Sequence, residues 1–182
     1  MELDKLIASC KRNNRTSQGK LFERYKDILY LTSLKYCRNE MEAEDNLHDA
    51  FVTIFENIKR YKGKGSIEGW MKRITINKAI DKYKMGQTTR YEVHENVQDE
   101  EAVDWNAQAI PLDTILKSIQ ILPDQYRLVF NLYQLDGYSH QDISKMLGIS
   151  EGTSRSNFFR ARSILKEKLT TYHTTKKTTP SL

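Results

Sequence analysis

Apolar side chains recur along this chain with the period of a helix. Leu47, Ala50, Phe51, Ile54, Phe55 and Ile58 follow the spacing i, i+3, i+4, i+7, i+8, i+11, a single amphipathic stripe. Asn39 followed by Glu42 supplies an N-cap for that helix, in a variant of the capping box. Phe22, Tyr25, Ile28, Leu29 and Tyr36 predict a helix before it, and Leu112, Ile115, Leu116 and Ile119 predict one well after it. Leu122-Pro123 ends the latter and opens another, which runs through Val129, Phe130 and Tyr133 to a stop at Asp136-Gly137. Strands alternating with helices are nowhere visible, so the expected fold is all-α.

The stretch Ser66–Lys84 departs from a simple stripe. Ser66 can cap a helix on which Ile67, Trp70, Met71 and Ile74 share one face, but Ile76, Ala79, Ile80 and Tyr83 fall opposite at about 100° per residue. Asn77, Lys78, Asp81 and Lys82 continue the stripe that Trp70 and Ile74 begin. Either the helix breaks near residue 75, or one face leads from an aromatic patch into a polar and basic row. The second arrangement suits unpaired nucleic acid, with rings stacking on bases and cations meeting phosphates. Tyr61, Lys62, Lys64, Trp70, Lys72, Arg73, Asn77 and Lys78 supply both components.

Near the other end, Ser139-His140-Gln141-Asp142 is an S-x-x-D cap, followed by Ile143, Met146, Leu147 and then Gly148 where a helix C-cap is wanted. Ile149 and a new N-cap, Ser150, complete a helix, a short turn and a second helix: a helix-turn-helix. On the second helix Ser154, Phe158, Ala161, Leu165 and Leu169 gather on the core side. Gly152, Arg155, Ser156, Phe159, Arg160, Ser163 and Lys166 lie opposite. That outer face carries donors for base edges and phosphates, a small residue for close approach, and an aromatic with no core to enter. Glu151 at the first helical position answers to the helix dipole, and His140 is expected as a solvated residue at a helix start.

Composition narrows the partners. The 182 residues carry 29 Lys+Arg against 24 Asp+Glu, a formal charge of +5. Counted by segment, residues 1–85 hold net +6, 86–110 net −5 and 111–182 net +4, so two basic blocks flank an acidic stretch. Residues 57–90 alone hold ten cations against Glu68 and Asp81. Clusters of this kind suggest a polyanion. The hydrophobic fraction of 38% is low for one filled core, where about 45–50% is usual. Two small helical domains are therefore expected, over 1–85 and 111–172, joined by a flexible acidic linker at 86–110, with a disordered tail at 173–182. The second would be a four-helix unit carrying the helix-turn-helix.

No run nears the roughly 18 apolar residues of a membrane span, and Met1-Glu2-Leu3-Asp4 lacks a signal-peptide core. A cytoplasmic protein without membrane insertion is expected. Cys10 and Cys37, isolated from each other and from any His motif, read as reduced structural thiols rather than a disulfide or zinc site. No metal or cofactor is expected.

Three strings resemble one family. EAEDNLHDAFVTIF at 42–55 resembles the helix by which bacterial sigma factors bind core RNA polymerase. GWMKRITINKAIDKY at 69–83 resembles their −10 helix, and LPDQYRLVFNLYQLDGYSHQDISKMLGISEGTSRSNFFRAR at 122–162 their −35-binding domain. Two helical domains with a short linker and no third domain suit the extracytoplasmic-function (ECF) subgroup of the sigma-70 family. The resemblance covers roughly residues 5–170. It implies a transcription initiation factor rather than an enzyme, which binds core polymerase at the β′ clamp helices and the β flap, recognises promoter DNA and helps open it. It makes 1–85 sigma region 2 and 111–172 sigma region 4.

Residue by residue, the resemblance places Asp45, Asp49, Phe51 and Phe55 in the polymerase-binding segment; from the residues themselves Glu44, Asp45 and Asp49 form an acidic rim suited to basic partners, while Phe51 and Phe55 read as intradomain core. Tyr61, Lys64, Trp70, Arg73, Lys78 and Lys82 would flank the −10 single strand, and Asn77 would take a flipped base, for which its bifunctional amide is suited. Gly152, Arg155, Ser156, Phe159, Arg160 and Ser163 would read the −35 element. An anti-sigma partner is common in the family, though no residue here identifies one. Asn157 stands where Arg is common and Ser154 replaces a usual Val, so weaker phosphate contact and packing are expected there; Asn46 replaces a usual Leu in the core-binding helix.

Two other classes were weighed on the same residues. A serine recombinase would need an α/β domain with a nucleophilic Ser among clustered arginines, and Ser9, Ser17 and Ser33 sit in helical, Arg-poor surroundings. An autonomous helix-turn-helix regulator would leave the basic, aromatic block at 57–84 unexplained.

Overall fold

The computed structural model describes residues 2–86 and 110–177. Among the described residues there are α-helices and no strands, and the chain divides into two compact units, Met1–Met85 and Gly86–Leu182. The expected linker at 86–110 lies almost wholly outside the described residues.

The N-terminal unit contains α1 (Leu3–Lys11), α2 (Arg15–Tyr36), α3 (Glu40–Asn57), a 3-10 turn (Ile58–Arg60) and α4 (Ile67–Gly86). Its core gathers Leu6, Ile7 and Cys10 from α1, Leu21, Tyr25 and Leu29 from α2, Leu47, Phe51 and Ile54 from α3, and Ile67 and Met71 from α4. The stripe on α2 is rotated from the expected one. Leu21, Tyr25, Leu29 and Tyr36 are buried, while Ile28 faces outward. Helix α1, which holds Ser9, places Leu6, Ile7 and Cys10 on its buried side at helical spacing. Burial pushes the Cys10 thiol up, which disfavours thiolate chemistry and suits a structural role.

Helix α3 is capped as its sequence predicts. Asn39 Oδ1 accepts from the Glu42 N–H at 2.8 Å, and the Glu42 carboxylate accepts in turn from the Arg38 N–H at 3.1 Å. Asn39→Ala should lower the stability of this unit by about 1 kcal/mol, read by denaturant titration. A loss below a few tenths would show that the cap is replaced by water.

Helix α4 does not break near residue 75; it runs unbroken from Ile67 to Gly86. Its buried side includes Ile67, Met71, Thr75, Ile76, Ala79 and Ile80. The apparent gap in the stripe is filled by Thr75, which is fully buried and donates its hydroxyl to the Met71 carbonyl at 3.1 Å. Facing it, the fully buried Asn46 of α3 donates to the Thr75 carbonyl at 3.2 Å and to Ser33 Oγ of α2 at 3.0 Å. Buried polar groups are tolerated when they pair in this way. Asn46 therefore ties three helices together through its amide N–H groups, while its buried Oδ1 has no hydrogen-bond partner among the described residues.

The C-terminal unit contains α5 (Leu112–Gln120), α6 (Asp124–Phe130), a π turn (Asn131–Leu135), α7 (His140–Leu147) and α8 (Glu151–Lys177). The corner at Pro123 is fixed by Arg127, whose buried guanidinium donates to the carbonyls of Gln120 and Leu122 at 3.0 and 2.9 Å and pairs with Asp124 at 2.6 Å. The stop after the π turn uses Gly137 at φ +73°, with the Tyr138 N–H reaching back to the Leu132 carbonyl at 2.9 Å. Helix α8 continues to Lys177, five residues into the stretch expected to be disordered; residues 178–182 lie outside the described ones.

Candidate nucleic-acid interface

In the N-terminal unit, α4 presents Trp70, Arg73 and Asn77 at i, i+3 and i+7. Asn77 and Arg73 are exposed, Trp70 and Lys78 half-buried. The Trp70 ring meets Tyr61 at 5.6 Å between centroids, so the aromatic pair lies beside the amide and the cations. Both rings are partly buried against one side of the hydrophobic core. Asn77 makes no side-chain hydrogen bond among the described residues, leaving its amide free for a base edge. The exposed Lys64 stands in the turn before α4. Asp81, one turn beyond Asn77 on the same stripe, is exposed and sets a carboxylate between Lys78 and Lys82.

Two expected roles are entangled. Lys82, assigned to the DNA side, pairs at 2.8 Å with Asp49, assigned to the polymerase side, and both are about half exposed. A pair this exposed is held by less than about 1 kcal/mol, so either partner molecule can displace it. Glu44 and Asp45 are exposed on α3. Phe51 is not a surface group: it is 3% exposed, with its ring 4.6 Å from Phe22 and 5.7 Å from half-buried Phe55. Phe51 thus takes the intradomain-core place that its residue type suggests, and shapes α3 from within.

In the C-terminal unit, Ser139 Oγ accepts from the Asp142 N–H at 3.1 Å and closes on the Asp142 carboxylate at 2.6 Å. Gly148 takes the left-handed conformation, φ +72°, that the tight turn between α7 and α8 requires. Ser150 Oγ accepts from the Thr153 N–H at 3.0 Å and caps α8. On α8, Gly152, Arg155 and Ser163 are exposed, and Ser156, Phe159 and Arg160 half-buried. A Cβ on Gly152 would meet nothing closer than Ser150 Oγ at 3.7 Å, so the chain's own packing does not demand glycine there.

Arg155 pairs loosely with Glu151, at 3.8 Å. Glu151 thus does more than answer the helix dipole. Arg160 leans toward α6 and donates to Tyr126 Oη at 3.1 Å. Phe159, expected to have no core to enter, is half-buried with its ring 5.9 Å from Phe158.

Several residues differ from expectation because their polar atoms pair inside the unit. His140 is not a solvated helix-start residue. It is 8% exposed, its Nδ1 lies 2.9 Å from Ser154 Oγ, and its ring stacks on Tyr133 at 4.2 Å. Ser154 is fully buried as the partner of that imidazole, which explains the loss of an apolar residue there. Asn157 is 3% exposed and donates to Gln125 Oε1 at 2.9 Å, so it is an interior residue and not a weakened phosphate contact. No spacing rule signals these pairs, since each joins two different helices.

Burial, and then the nearby Arg155, push the His140 pKa below its usual value, while Glu151 pulls it up. An unfolded His titrates near about 6.5, and the folded one takes its proton only at lower pH. Between those two values the unfolded state binds more protons, so stability of this unit should fall as pH drops below about 6.5. Unfolding of the full chain at several pH values, for wild type and His140→Gln, checks this. The variant should lack that component of the acid loss; identical pH profiles would contradict it.

A helix-turn-helix with a basic outer face, and a second helical unit with exposed cations and an amide on the face of paired rings, are the features of a nucleic-acid-binding protein. Family models described as Sigma-70 region 2 and Sigma-70, region 4 match residues 21–88 and 112–165 respectively. The chain is similar to the ECF RNA polymerase sigma factor SigW of Bacillus subtilis, 27% identical over 183 residues, covering 93% of this chain and 97% of that protein. It is also similar to the ECF RNA polymerase sigma factor SigE of Mycolicibacterium smegmatis, 29% identical over 159 residues. That match covers 84% of this chain but spans only 62% of the longer relative. The fold is shared with the sigma factor RpoE of Bartonella quintana, solved with the anti-sigma factor NepR, at a TM-score of 0.53 and 19% identity over 84% of this chain and 96% of that one. The chain belongs to the sigma-70 family of transcription initiation factors, in its ECF group. Among the described residues no helix is long and apolar enough to cross a membrane.

Proposed function

We propose that this chain docks core RNA polymerase on the acidic rim of α3, holds the −10 strand on α4 and reads the −35 duplex with α8, promoting DNA opening from the cytoplasm. The observation that carries the reading is exposed Asn77, with a free amide, on the same face as Arg73 and the Tyr61–Trp70 pair. This combination suits an unstacked base and its backbone. Glu44, Asp45 and Asp49 supply an acidic rim for the basic groups of the β′ clamp helices, and the C-terminal unit would meet the β flap. The acidic segment 86–110 tethers the two. An anti-sigma protein, of the kind named with the Bartonella quintana factor, is the regulator such a protein would take. Nothing in this reading asks for a catalytic group or a cofactor. An autonomous regulator would leave the α4 face idle.

The reading is tested by adding the chain to core polymerase on a genomic promoter pool. Transcripts absent with core alone support it, and their absence across the pool defeats it. Arg155→Ala should weaken recognition of the upstream element by about 1–3 kcal/mol, the scale of a lost base contact. Breaking its loose pair with Glu151 costs DNA binding little, since exposed i,i+4 pairs contribute about 0.3–0.5 kcal/mol. Equal binding by wild type and variant, in gel-shift titrations of the holoenzyme, would return Arg155 to a plain solvated face.

A further inference from the structure

The turn that leads into α4, residues 61–66, carries Lys62 and Lys64, the second of them between two glycines with positive φ, Gly63 at +74° and Gly65 at +79°. Nothing stands within 4 Å of where a Cβ on either glycine would be. Packing at the glycines therefore does not hold the turn, and glycine-rich backbone is conformationally free. Its shape depends on a few polar contacts that meet at Tyr61. The Tyr61 hydroxyl donates across the turn to the Gly65 carbonyl at 2.7 Å, and the Tyr61 ring rests against Trp70. The third contact comes from outside the turn and from outside α4. Lys11 Nζ, at the end of α1, donates to the Tyr61 carbonyl at 2.7 Å and lies 5.8 Å from the centre of the Tyr61 ring.

We propose that Lys11 is a positioning residue for the single-strand face: it anchors Tyr61, and through Tyr61 the 61–66 turn and the Trp70 ring. Helix α1 is seated by Leu6, Ile7 and Cys10 in the core, so Lys11 is held from a rigid base. A charged donor to a carbonyl is stronger than a neutral one. Its ammonium is part-buried and commits one of its three donors to this turn, whereas Lys59, Lys62 and Lys64 are exposed. Lys11 therefore acts on nucleic acid through Tyr61 and not by meeting a phosphate.

This inference rests on the reading of α4 as the −10 strand face, and its test separates the two. The full chain, as wild type, Lys11→Met, Lys11→Arg and Tyr61→Phe, is assembled with core polymerase on a promoter the wild type transcribes. Open complexes are read by permanganate reactivity of unpaired thymines, alongside polymerase affinity, melting temperature and the salt dependence of promoter binding. Lys11→Met should reduce open complexes about tenfold, the scale of one charge-assisted hydrogen bond, with polymerase affinity unchanged. Lys11→Arg should restore most of the signal. Tyr61→Phe, which keeps the ring and removes the clasp to Gly65, should reproduce the defect, and the double variant should be no worse than either single one. Should Lys11→Met unfold, the Arg and Phe variants still decide. Full opening by Lys11→Met, equal loss of opening and polymerase binding, failure of Arg to rescue, or strictly multiplicative defects would each overturn the proposal. So would a salt slope lower by about one, the mark of a direct phosphate contact. If wild type opens no promoter with core polymerase, it is the functional reading that fails, not the role of Lys11.

Discussion

Phe158→Ala should cost the C-terminal unit about 3–5 kcal/mol, the range for emptying a buried aromatic site. The ring is 6% exposed and lies where three elements meet. It stacks near Phe130 of α6 at 6.1 Å, meets Tyr133 of the π turn edge-on at 4.7 Å, and approaches His140 of α7 at 6.0 Å. The Arg162 guanidinium covers it at 5.7 Å. Neighbours from separate helices cannot all collapse into the void, so the cavity term should be near its maximum. Folded domains hold only about 0.05–0.15 kcal/mol per residue, which makes this loss most of what a unit of this size has. Thermal unfolding of the full chain should show the C-terminal transition lowered or absent and the N-terminal transition unmoved. Upstream-element binding should go with it. A loss under about 1 kcal/mol would mean that the α7–α8 turn is held by its caps rather than by this ring.

Asn77→Ala is the second large effect, and it should separate opening from docking. The side chain is exposed on α4 and does no structural work among the described residues, so folding and polymerase affinity should be preserved. A bidentate amide–base contact discriminates by about 1–3 kcal/mol, so open-complex formation should fall by about 5- to 150-fold. Competition binding to core polymerase and permanganate footprinting on one preparation give both quantities. Equal losses in the two would point to misfolding, and an unchanged footprint would remove Asn77 from the site.

The parts of this fold that sequence reveals are those built on periodic burial. The stripe Leu47–Ile58 on α3, the Asn39 cap, the Pro123 corner and the Gly148 turn each depend on near neighbours in the chain, and near neighbours are what spacing rules see. Helix α4 defeats them because Thr75 occupies a core position and hides its hydroxyl on its own backbone, while Asn46 meets its carbonyl from another helix. A polar letter then reads as surface when it is interior. The same substitution of pairing for apolarity hides Ser154 with His140 and Asn157 with Gln125. On the candidate surfaces, the outward faces of α4 and α8 follow from the wheel, but their present partners do not. Arg160 on Tyr126, Lys82 on Asp49 and Lys11 on Tyr61 are long-range contacts that no local pattern contains. Phe51 is the converse case: a motif match gives its place in the helix, and its apolar spacing is what puts the ring in the core.

The central claim is that one chain directs polymerase to promoters through two separate DNA surfaces. Sequencing the 5′ ends of transcripts made by core polymerase with wild type, Arg155→Ala and Asn77→Ala tests it most directly. Start sites absent with core alone should lie downstream of a shared pair of elements, with Arg155→Ala relaxing the upstream one and Asn77→Ala depleting starts that depend on the downstream one. No starts above those of core alone, or starts insensitive to both substitutions, would contradict it.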